Sequence, residues 1–484
     1  MIKRIGDAWK IPGLVALMAL FPSLAHASEQ AVNVPSVAWI IPFVLLLLSI
    51  AIVPLKFPHW WESNLNKGLI AGLLALPVAI YFIATDYHRL LHHLHEYLSF
   101  IVLLWSLYTI SGGIVLRGNL VASPRTNTLF LLVGAIIANL FGTTGASMLL
   151  IRPLLRTNQE RKHKVHTVIF FIFVVSNVGG CLTPLGDPPL YMGFLQGIPF
   201  EWTLALWPEW LAVNGALLVI YYFWDRKAWA KEEVKDIALD VKQATPLAIE
   251  GWVNVALIFG IVASIVVSGQ VLKIPDPKSS VDPTYASIKA IKAAVPWIRD
   301  GVMVGLGLIS MAATRKQLRI DNNFNFGAIT EVAVLFIGIF ITMIPALMLL
   351  EFRGSELGVT HPLQYFWVTG ALSGFLDNTP TYLAFLSLAK GAFGVDVAAA
   401  DLIKPEFAEG LGIAIVRAIS LGAVFMGAAT YIGNGPNFMV KAIAEEKGAT
   451  QVKMPSFGGY MLYSFGILVP ILIVVSVIFF YLAV

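Results

Sequence analysis

Apolar stretches of bilayer-spanning length constrain this chain more than any other feature. Windows of about 17–25 residues predict membrane spans, near residues 36–55, 68–85, 97–116, 165–187, 203–223, 251–270, 298–314, 328–350, 411–433 and 457–483. Only 13% of the 484 residues are charged, whereas soluble domains contain about a quarter. The sequence therefore predicts an all-α polytopic membrane protein whose main surroundings are membrane lipid.

Two further apolar segments, 128–151 and 362–390, are interrupted in the middle by Gly, Thr, Asn or Pro. We predict that each is a re-entrant hairpin, which enters and leaves the membrane on the same side. The basic clusters at 152–164, 225–235 and 315–319 then all fall on the cytoplasmic side, as the positive-inside rule requires. Treating either hairpin as a single crossing would reverse everything after it.

The chain is predicted to consist of two inverted halves, 28–240 and 241–484. Each half contains a hairpin tip, "GTTGAS" in the first and "LDNTPT" in the second. A long span broken at Gly-Asx follows each tip, within residues 165–195 and 411–440. Inverted repeats with interrupted helices are typical of secondary transporters.

The N-terminus has a basic start, a short apolar run and the sequence "AHA", which is typical of a secretory signal peptide. We predict cleavage after Ala27; the alternative is an uncleaved first anchor. The net charge of +4 is small for this length and gives no reason to expect a nucleic-acid partner. The single cysteine, Cys181, cannot form an internal disulfide.

The glycines and prolines of the broken segments release backbone groups inside the membrane, where they must line a cavity or be buried in protein. Oxygen atoms at such breaks suit Na⁺, and half-helix N-termini suit anions. Intramembrane carboxylates are functional candidates by default, and Asp187 and Asp377 lie in these breaks. We expect Na⁺ and H⁺ to compete there. The candidate ion-binding residues are Asp187, Asp377, Asn378, Thr379, Thr143, Thr144, Asn177, Gly186 and Asn434.

Three charged residues outside the breaks are weaker candidates. Glu96 and Glu331 each open a span, where a carboxylate can provide a path for protons or simply be a charge near a helix N-terminus. Arg417 lies inside an apolar run, and we expect it to pair with an acid rather than to snorkel.

The motifs "GTTGASMLLIRPL", "GGCLTPLGDPP", "FLDNTPTY" and "TYIGNGPNF" together resemble the ion transporter superfamily over residues 60–484. Within it, the chain looks most similar to bacterial sodium/proton antiporters of the D-type and citrate-transporter-like branch. The resemblance implies a homodimer with a scaffold domain and a transport domain that moves as an elevator. Dicarboxylate carriers of the superfamily have Ser-Asn-Thr at each tip, whereas the tips here contain Thr143-Thr144-Gly145 and Asp377-Asn378-Thr379. The added negative charge favours cations.

The first hypothesis is therefore a Na⁺(Li⁺)/H⁺ antiporter of the bacterial inner membrane, with Na⁺ near Asp187 and Asp377 and no cofactor. The alternative is a Na⁺- or H⁺-coupled carrier of an organic anion such as citrate or a dicarboxylate. An enzyme is not expected, because the sequence contains no P-loop, zinc motif or nucleophile elbow.

Overall fold

The computed structural model describes residues 34–274, 285–394 and 396–482. The predicted signal peptide, 1–27, lies outside these residues. The described chain is almost entirely helical, as predicted, with one short pair of strands. Strand β1 (Val115–Asn119) pairs antiparallel with β2 (Thr245–Glu250), and Leu116 lies opposite Ile249.

The α-helices follow one another with short connections. They are α1 Ile41–Lys56, α2 Pro58–Trp61, α3 Asn64–Thr85, α4 Tyr87–Ser111, α5 Pro124–Thr157, α6 Val165–Val174, α7 Pro188–Leu195, α8 Trp207–Trp229, α9 Val234–Gln243, α10 Trp252–Leu272, α11 Tyr285–Ala313, α12 Lys316–Asp321, α13 Gly327–Thr342, α14 Ile344–Arg353, α15 Pro362–Ser373, α16 Asn378–Phe393, α17 Ala399–Leu402, α18 Leu411–Met426, α19 Gly435–Ala444, α20 Phe457–Tyr463 and α21 Val469–Phe480.

Short helical turns of other types connect several of these helices. The 3₁₀ turns are Val37–Ile40, Val178–Leu182, Phe200–Leu206, Gly354–Leu357, Phe407–Gly410 and Gly427–Ala429, and a π-helical turn spans Ser464–Leu468. Two of the 3₁₀ turns, Val178–Leu182 and Gly427–Ala429, fall inside the spans that were predicted to be broken.

Among the described residues, ten helices are long and apolar enough to cross a membrane. The chain is therefore a multi-pass membrane protein. The predicted span 328–350 corresponds to two helices, α13 and α14, which are bent by 40° at the break between them. A regular apolar pattern continues through this bend, so the sequence gave no signal for it.

The chain divides into two compact units. The described part of the first consists of the chain up to Ile110, most of α10 together with α11, and residues Asn323–Met348. Its helices α3 and α13 pack closely, and a buried core forms around Val78, Phe82 and Ile344. The second unit contains the remaining residues, including both segments that were predicted to be hairpins. The prediction of two inverted halves remains a prediction.

In the second unit, α5 doubles back on itself at Gly142. This glycine has φ 73° and ψ 155°, a backbone conformation outside the helical region that glycine adopts without strain. A straight helix of 34 residues would separate its ends by about 50 Å. Instead, Asn127 near the start donates a hydrogen bond of 2.8 Å to Asn158, just past the end. The two arms therefore lie side by side, with the turn at Gly142 as the tip.

The segment α15–α16 has a similar course. Lys390, near the end of α16, forms an ion pair of 2.6 Å with Glu351, which precedes α15. Gly391 and Gly354 also approach each other closely, since a side chain on Gly354 would meet the backbone of Gly391 at 3.3 Å. The tip lies at Phe375–Asp377, between the two helices.

An ionic cluster joins the two ends of α5 to neighbouring helices. Arg161 donates hydrogen bonds of 2.6 and 3.0 Å to the two carboxylate oxygens of Asp225 on α8. His166 on α6 contacts the same carboxylate at 2.8 Å, and Asn127 donates to it at 3.2 Å. Burial disfavours the charge of Arg161, but its hydrogen bonds to Asp225 raise its pKa above the ordinary value. The cluster therefore holds α5, α6 and α8 together.

Candidate ion-binding site

The span that begins with α6 breaks at Asn177, whose φ of −141° and ψ of −84° leave the helical region. A 3₁₀ turn follows, and the chain then becomes extended up to Asp187. Helix α7 begins at Pro188, where a proline costs little because the first N–H groups of a helix have no internal partner. The sequence thus places an acidic residue directly before a helix N-terminus inside the protein.

The second broken span repeats this geometry. Asn434 precedes α19 with φ −150° and ψ 141°, and Asp187 precedes α7 with φ −142° and ψ 141°. Thr183 donates a hydrogen bond of 2.5 Å to the backbone oxygen of Asn139 on α5. Thr430 donates one of 2.6 Å to the backbone oxygen of Gly374, after α15. In both breaks a threonine ties the extended segment to the first arm of a doubled-back segment.

Glycine is required at these breaks by close backbone approaches. A side chain on Gly186 would overlap the backbone oxygen of Gly180, and one on Gly433 would meet the backbone oxygen of Gly427 at 2.6 Å. The backbone oxygen of Gly186 accepts a hydrogen bond of 2.7 Å from the N–H of Thr143, directly after the tip of α5. The tip and the broken helix are therefore joined through the main chain.

Asp187 lies at the centre of the site and is fully buried. Its Oδ1 accepts hydrogen bonds from the hydroxyl of Thr143 at 2.7 Å and from the amide of Asn434 at 3.0 Å. Its Oδ2 accepts one from the amide of Asn378 at 2.6 Å. One carboxylate thus contacts both tips and the opposite broken helix. These are Thr143 from the first tip, Asn378 from the second and Asn434 from the second break.

Asn177 lies behind Asn434 and is also fully buried. Its Oδ1 accepts a hydrogen bond of 3.2 Å from Asn434, and its Nδ2 donates one of 2.7 Å to Asn437. Asn437 in turn donates to the backbone oxygens of Gly427 at 2.8 Å and Thr430 at 2.9 Å. This chain of amides orients the Asn434 side chain towards Asp187.

Asp377 is placed differently from Asp187. It caps the N-terminus of α16, where its Oδ1 accepts a hydrogen bond of 2.9 Å from the N–H of Thr379. It is partly exposed, and it directly precedes Asn378. The hydroxyl of Thr379 lies 3.4 Å from the Asn378 oxygen. Thr144 has no hydrogen bond to Asp187 in the part of the chain that the structure describes.

All three side chains that donate to Asp187 within the described residues are neutral. A buried carboxylate without a cationic partner is costly, by several kcal/mol in effective terms. The N-termini of α7 and α16 reduce this cost, because the positive end of a helix dipole favours negative charge. The described residues contain no group of three or more His, Cys, Asp or Glu that could hold a metal ion. The arrangement suits a small cation held by one carboxylate and neutral oxygens, or a proton.

The three weaker candidates do not contact this cluster. Glu96 is buried and lies 2.8 Å from His93 and 3.3 Å from His92 in the first unit. Glu331, also in the first unit, pairs with Lys67 at 2.7 Å. Arg417 belongs to the unit that contains Asp187, and its acidic partner is Glu209 on α8, at 2.7 Å.

Sequence reasoning missed several amides that support the site. Asn139 donates a hydrogen bond of 2.7 Å to the backbone oxygen of Gly179 and accepts one of 2.8 Å from the N–H of Leu182, so it satisfies the backbone of the break. Asn437 has the corresponding function at the second break. Both are amides within apolar runs, "GAIIANLF" and "NGPNFMV". A search for isolated Asn in such runs would have found them.

Comparison with known families agrees with this geometry at the level of transport. Residues 32–480 match the sequence profile of a family described as "Putative citrate transport". The match covers both doubled-back segments and both broken helices. No curated protein matches the chain significantly.

Proposed function

Since this chain belongs to that citrate-transport family, whose members are secondary transporters, we propose that it exchanges Na⁺ or Li⁺ for H⁺ across the bacterial inner membrane. The proposal assigns ion binding to Asp187 and the neutral groups around it, with Asp377 as a second carboxylate beside the path of the ion. Na⁺ and H⁺ are the cargo, and no cofactor takes part.

The observation that carries the proposal is the neutral surroundings of the buried Asp187 carboxylate. A negative charge in this position calls for a positive partner, and no side chain among its described hydrogen-bond donors provides one. A proton or a small cation can do so, but each occupies the same oxygen atoms. Binding one therefore excludes the other, and this competition is sufficient for coupled exchange if the empty site crosses the membrane poorly.

The surrounding oxygens support Na⁺ as the cation. The hydroxyl of Thr143, the side-chain oxygen of Asn378 and the backbone oxygens of the breaks are the hard ligands that alkali ions accept. To bind Na⁺, the amides of Asn378 and Asn434 would rotate so that oxygen rather than nitrogen faces the ion. Both are terminal amides, for which such a rotation requires no backbone movement.

All of these residues belong to one compact unit. A rigid movement of that unit would carry the ion without dismantling the site, which fits the elevator-like alternating access that the superfamily resemblance implies. The homodimer is likewise a proposal that rests on this resemblance.

A second candidate is Na⁺- or H⁺-coupled transport of an organic anion such as citrate. The family description favours it. The helix N-terminus at Asn378, with the free donors of a tip, is also a common place for a carboxylate ligand. Against it stands Asp187, because a carboxylate at the centre of the cluster repels an anionic substrate unless a proton or cation neutralises it first.

Everted membrane vesicles with an interior acidified by respiration test the two candidates together. The vesicles are challenged with NaCl, LiCl, KCl and potassium citrate while a fluorescent probe reports the pH gradient, and labelled citrate uptake is followed in parallel. For the antiporter we expect alkalinisation of the interior on addition of Na⁺ or Li⁺, and none with K⁺. Uptake of citrate that requires Na⁺ or H⁺, with no cation-induced alkalinisation, would instead establish the second candidate.

The same vesicles should contain either Asp187→Asn or Glu406→Gln protein at equal abundance. Glu406 is an exposed carboxylate in the same unit, so its replacement is the matched control for loss of one negative charge. We expect exchange to disappear in the first variant and to persist in the second. Full exchange by Asp187→Asn would refute the site assignment.

A further inference from the structure

An open cavity of about 740 Å³ lies beside the C-terminal half of α8, in the unit that contains Asp187. One wall is apolar and is formed by one side of α8. Val219 and Phe223 are 57% and 55% exposed there, and Ile220 and Trp224 are each 37% exposed. The Trp224 ring is held in place by the His166 ring, which stacks on it at 6.1 Å with an interplanar angle of 8°.

The same side of α8 becomes basic towards its end. Lys227 and Lys231 follow Phe223 at intervals of four residues, so they continue the apolar stripe along the helix. Both are exposed. No acidic side chain of the described residues forms an ion pair with either. Two unneutralised ammonium groups therefore lie at one end of an exposed apolar wall.

The opposite wall comes from residues 162–165, just before α6. Lys162 pairs with Glu233 and lies 3.7 Å from Asp236, so its charge is largely balanced. Lys164 donates a hydrogen bond of 3.0 Å to the backbone oxygen of Gln159, and burial lowers its pKa. The side chain of His163 is exposed at the rim. The positive charge available to a ligand is therefore mainly that of Lys227 and Lys231.

These observations describe a site with two chemical parts. From Val219 to Lys227 the stripe extends for ~12 Å along the helix, with apolar groups at one end and ammonium groups at the other. We propose that this cavity binds an anionic phospholipid, with its phosphate at Lys227 and Lys231 and the upper part of an acyl chain against Val219 and Phe223.

The predicted topology gives the leaflet. The cavity brings together two basic segments, 152–164 and 225–235, which the positive-inside rule assigns to the cytoplasm. Anionic lipids attract basic groups at that surface, by about 1 kcal/mol per Lys or Arg. A soluble phosphate would use the lysines but would gain nothing from the exposed apolar wall, so a lipid accounts for both halves of the cavity.

Native mass spectrometry of the full chain, released from detergent after incubation with equal amounts of phosphatidylglycerol and phosphatidylcholine, tests the proposal. We expect phosphatidylglycerol adducts to predominate on the wild-type protein. Lys227→Gln combined with Lys231→Gln should reduce that preference by roughly 10- to 30-fold at low ionic strength, from the attraction of two basic groups. Lys227→Arg combined with Lys231→Arg should retain it.

The matched control is Lys447→Gln combined with Lys453→Gln, which removes two exposed lysines of the same unit that do not line the cavity. Elution of all variants as a single species in size-exclusion chromatography would exclude misfolding as a cause. Three results would each overturn the proposal: equal binding of both lipids by the wild-type protein, an equal loss in the control pair, or displacement of the lipid by glycerol phosphate at equimolar concentration.

Discussion

Asp187 and Asn434 are 247 residues apart, have nearly the same backbone conformation before their helices, and are joined by a hydrogen bond of 3.0 Å. Two related breaks thus meet, and only one of them contributes a carboxylate. Two acids in these places would repel each other, since neighbouring carboxylates do not readily ionise together. Two amides could not hold a proton. The asymmetry gives the site a single titratable group, which one-for-one competition between a cation and a proton requires.

The first prediction concerns an exchange of these two residues. Asp187→Asn should abolish Na⁺/H⁺ exchange in everted vesicles, because the variant has no group that can take up a proton at this place. Adding Asn434→Asp to it restores one carboxylate across a hydrogen bond of 3.0 Å, and we expect measurable exchange to return. Vesicles with Asn434→Ala in place of Asn434→Asp provide the control, since they lack any acid. Exchange that is absent from the double variant, despite wild-type abundance, would contradict functional equivalence of the two positions.

The second prediction separates two functions of Asp377. Asn caps a helix about as well as Asp, so Asp377→Asn should keep the cap on α16 and the thermal stability of the protein. If the negative charge attracts the ion, this variant should require a higher Na⁺ concentration for half-maximal exchange while its maximal rate changes little. Asp377→Ala also loses the hydrogen bond to the N–H of Thr379, which costs about 1 kcal/mol of stability. Unchanged Na⁺ dependence in Asp377→Asn would leave only the capping function.

The sequence was sufficient to predict much of the fold, because span length, charge bias and broken apolar runs each have a direct physical cause. Asp187 was predictable for the same reason, since a lone acid in an apolar segment is conspicuous. Its partners were less so. Thr143, Asn378 and Asn434 come from different segments, and their convergence depends on how the helices pack. The bend between α13 and α14 was not predictable, because an apolar run is compatible with either a straight or a kinked helix.

The third prediction tests the close backbone approach in the first break. Gly186→Ala places a methyl group against the backbone oxygen of Gly180, and overpacking of this kind costs about 1–3 kcal/mol or more. We expect a several-fold lower yield of monodisperse protein and a lower unfolding temperature. Gly435→Ala is the control in the second break, where a methyl group would meet no atom within 4 Å. Equal yields for the two variants would contradict the packing described here.

The fourth prediction concerns the buried pair Arg161–Asp225, in which both side chains are at least 95% buried and two hydrogen bonds of 2.6 and 3.0 Å join them. Arg161→Met leaves the Asp225 carboxylate without its main counter-charge, which typically costs about 3–5 kcal/mol. The unfolding temperature in detergent should fall clearly, and Asp225→Asn introduced into the same protein should recover most of the loss, because no uncompensated charge then remains. Arg353→Met, which breaks an exposed pair with Glu356, should leave the unfolding temperature unchanged. If the double variant is as unstable as the sum of its single variants, the two charges do not stabilise each other and the cluster does not hold α5 to α8 as inferred.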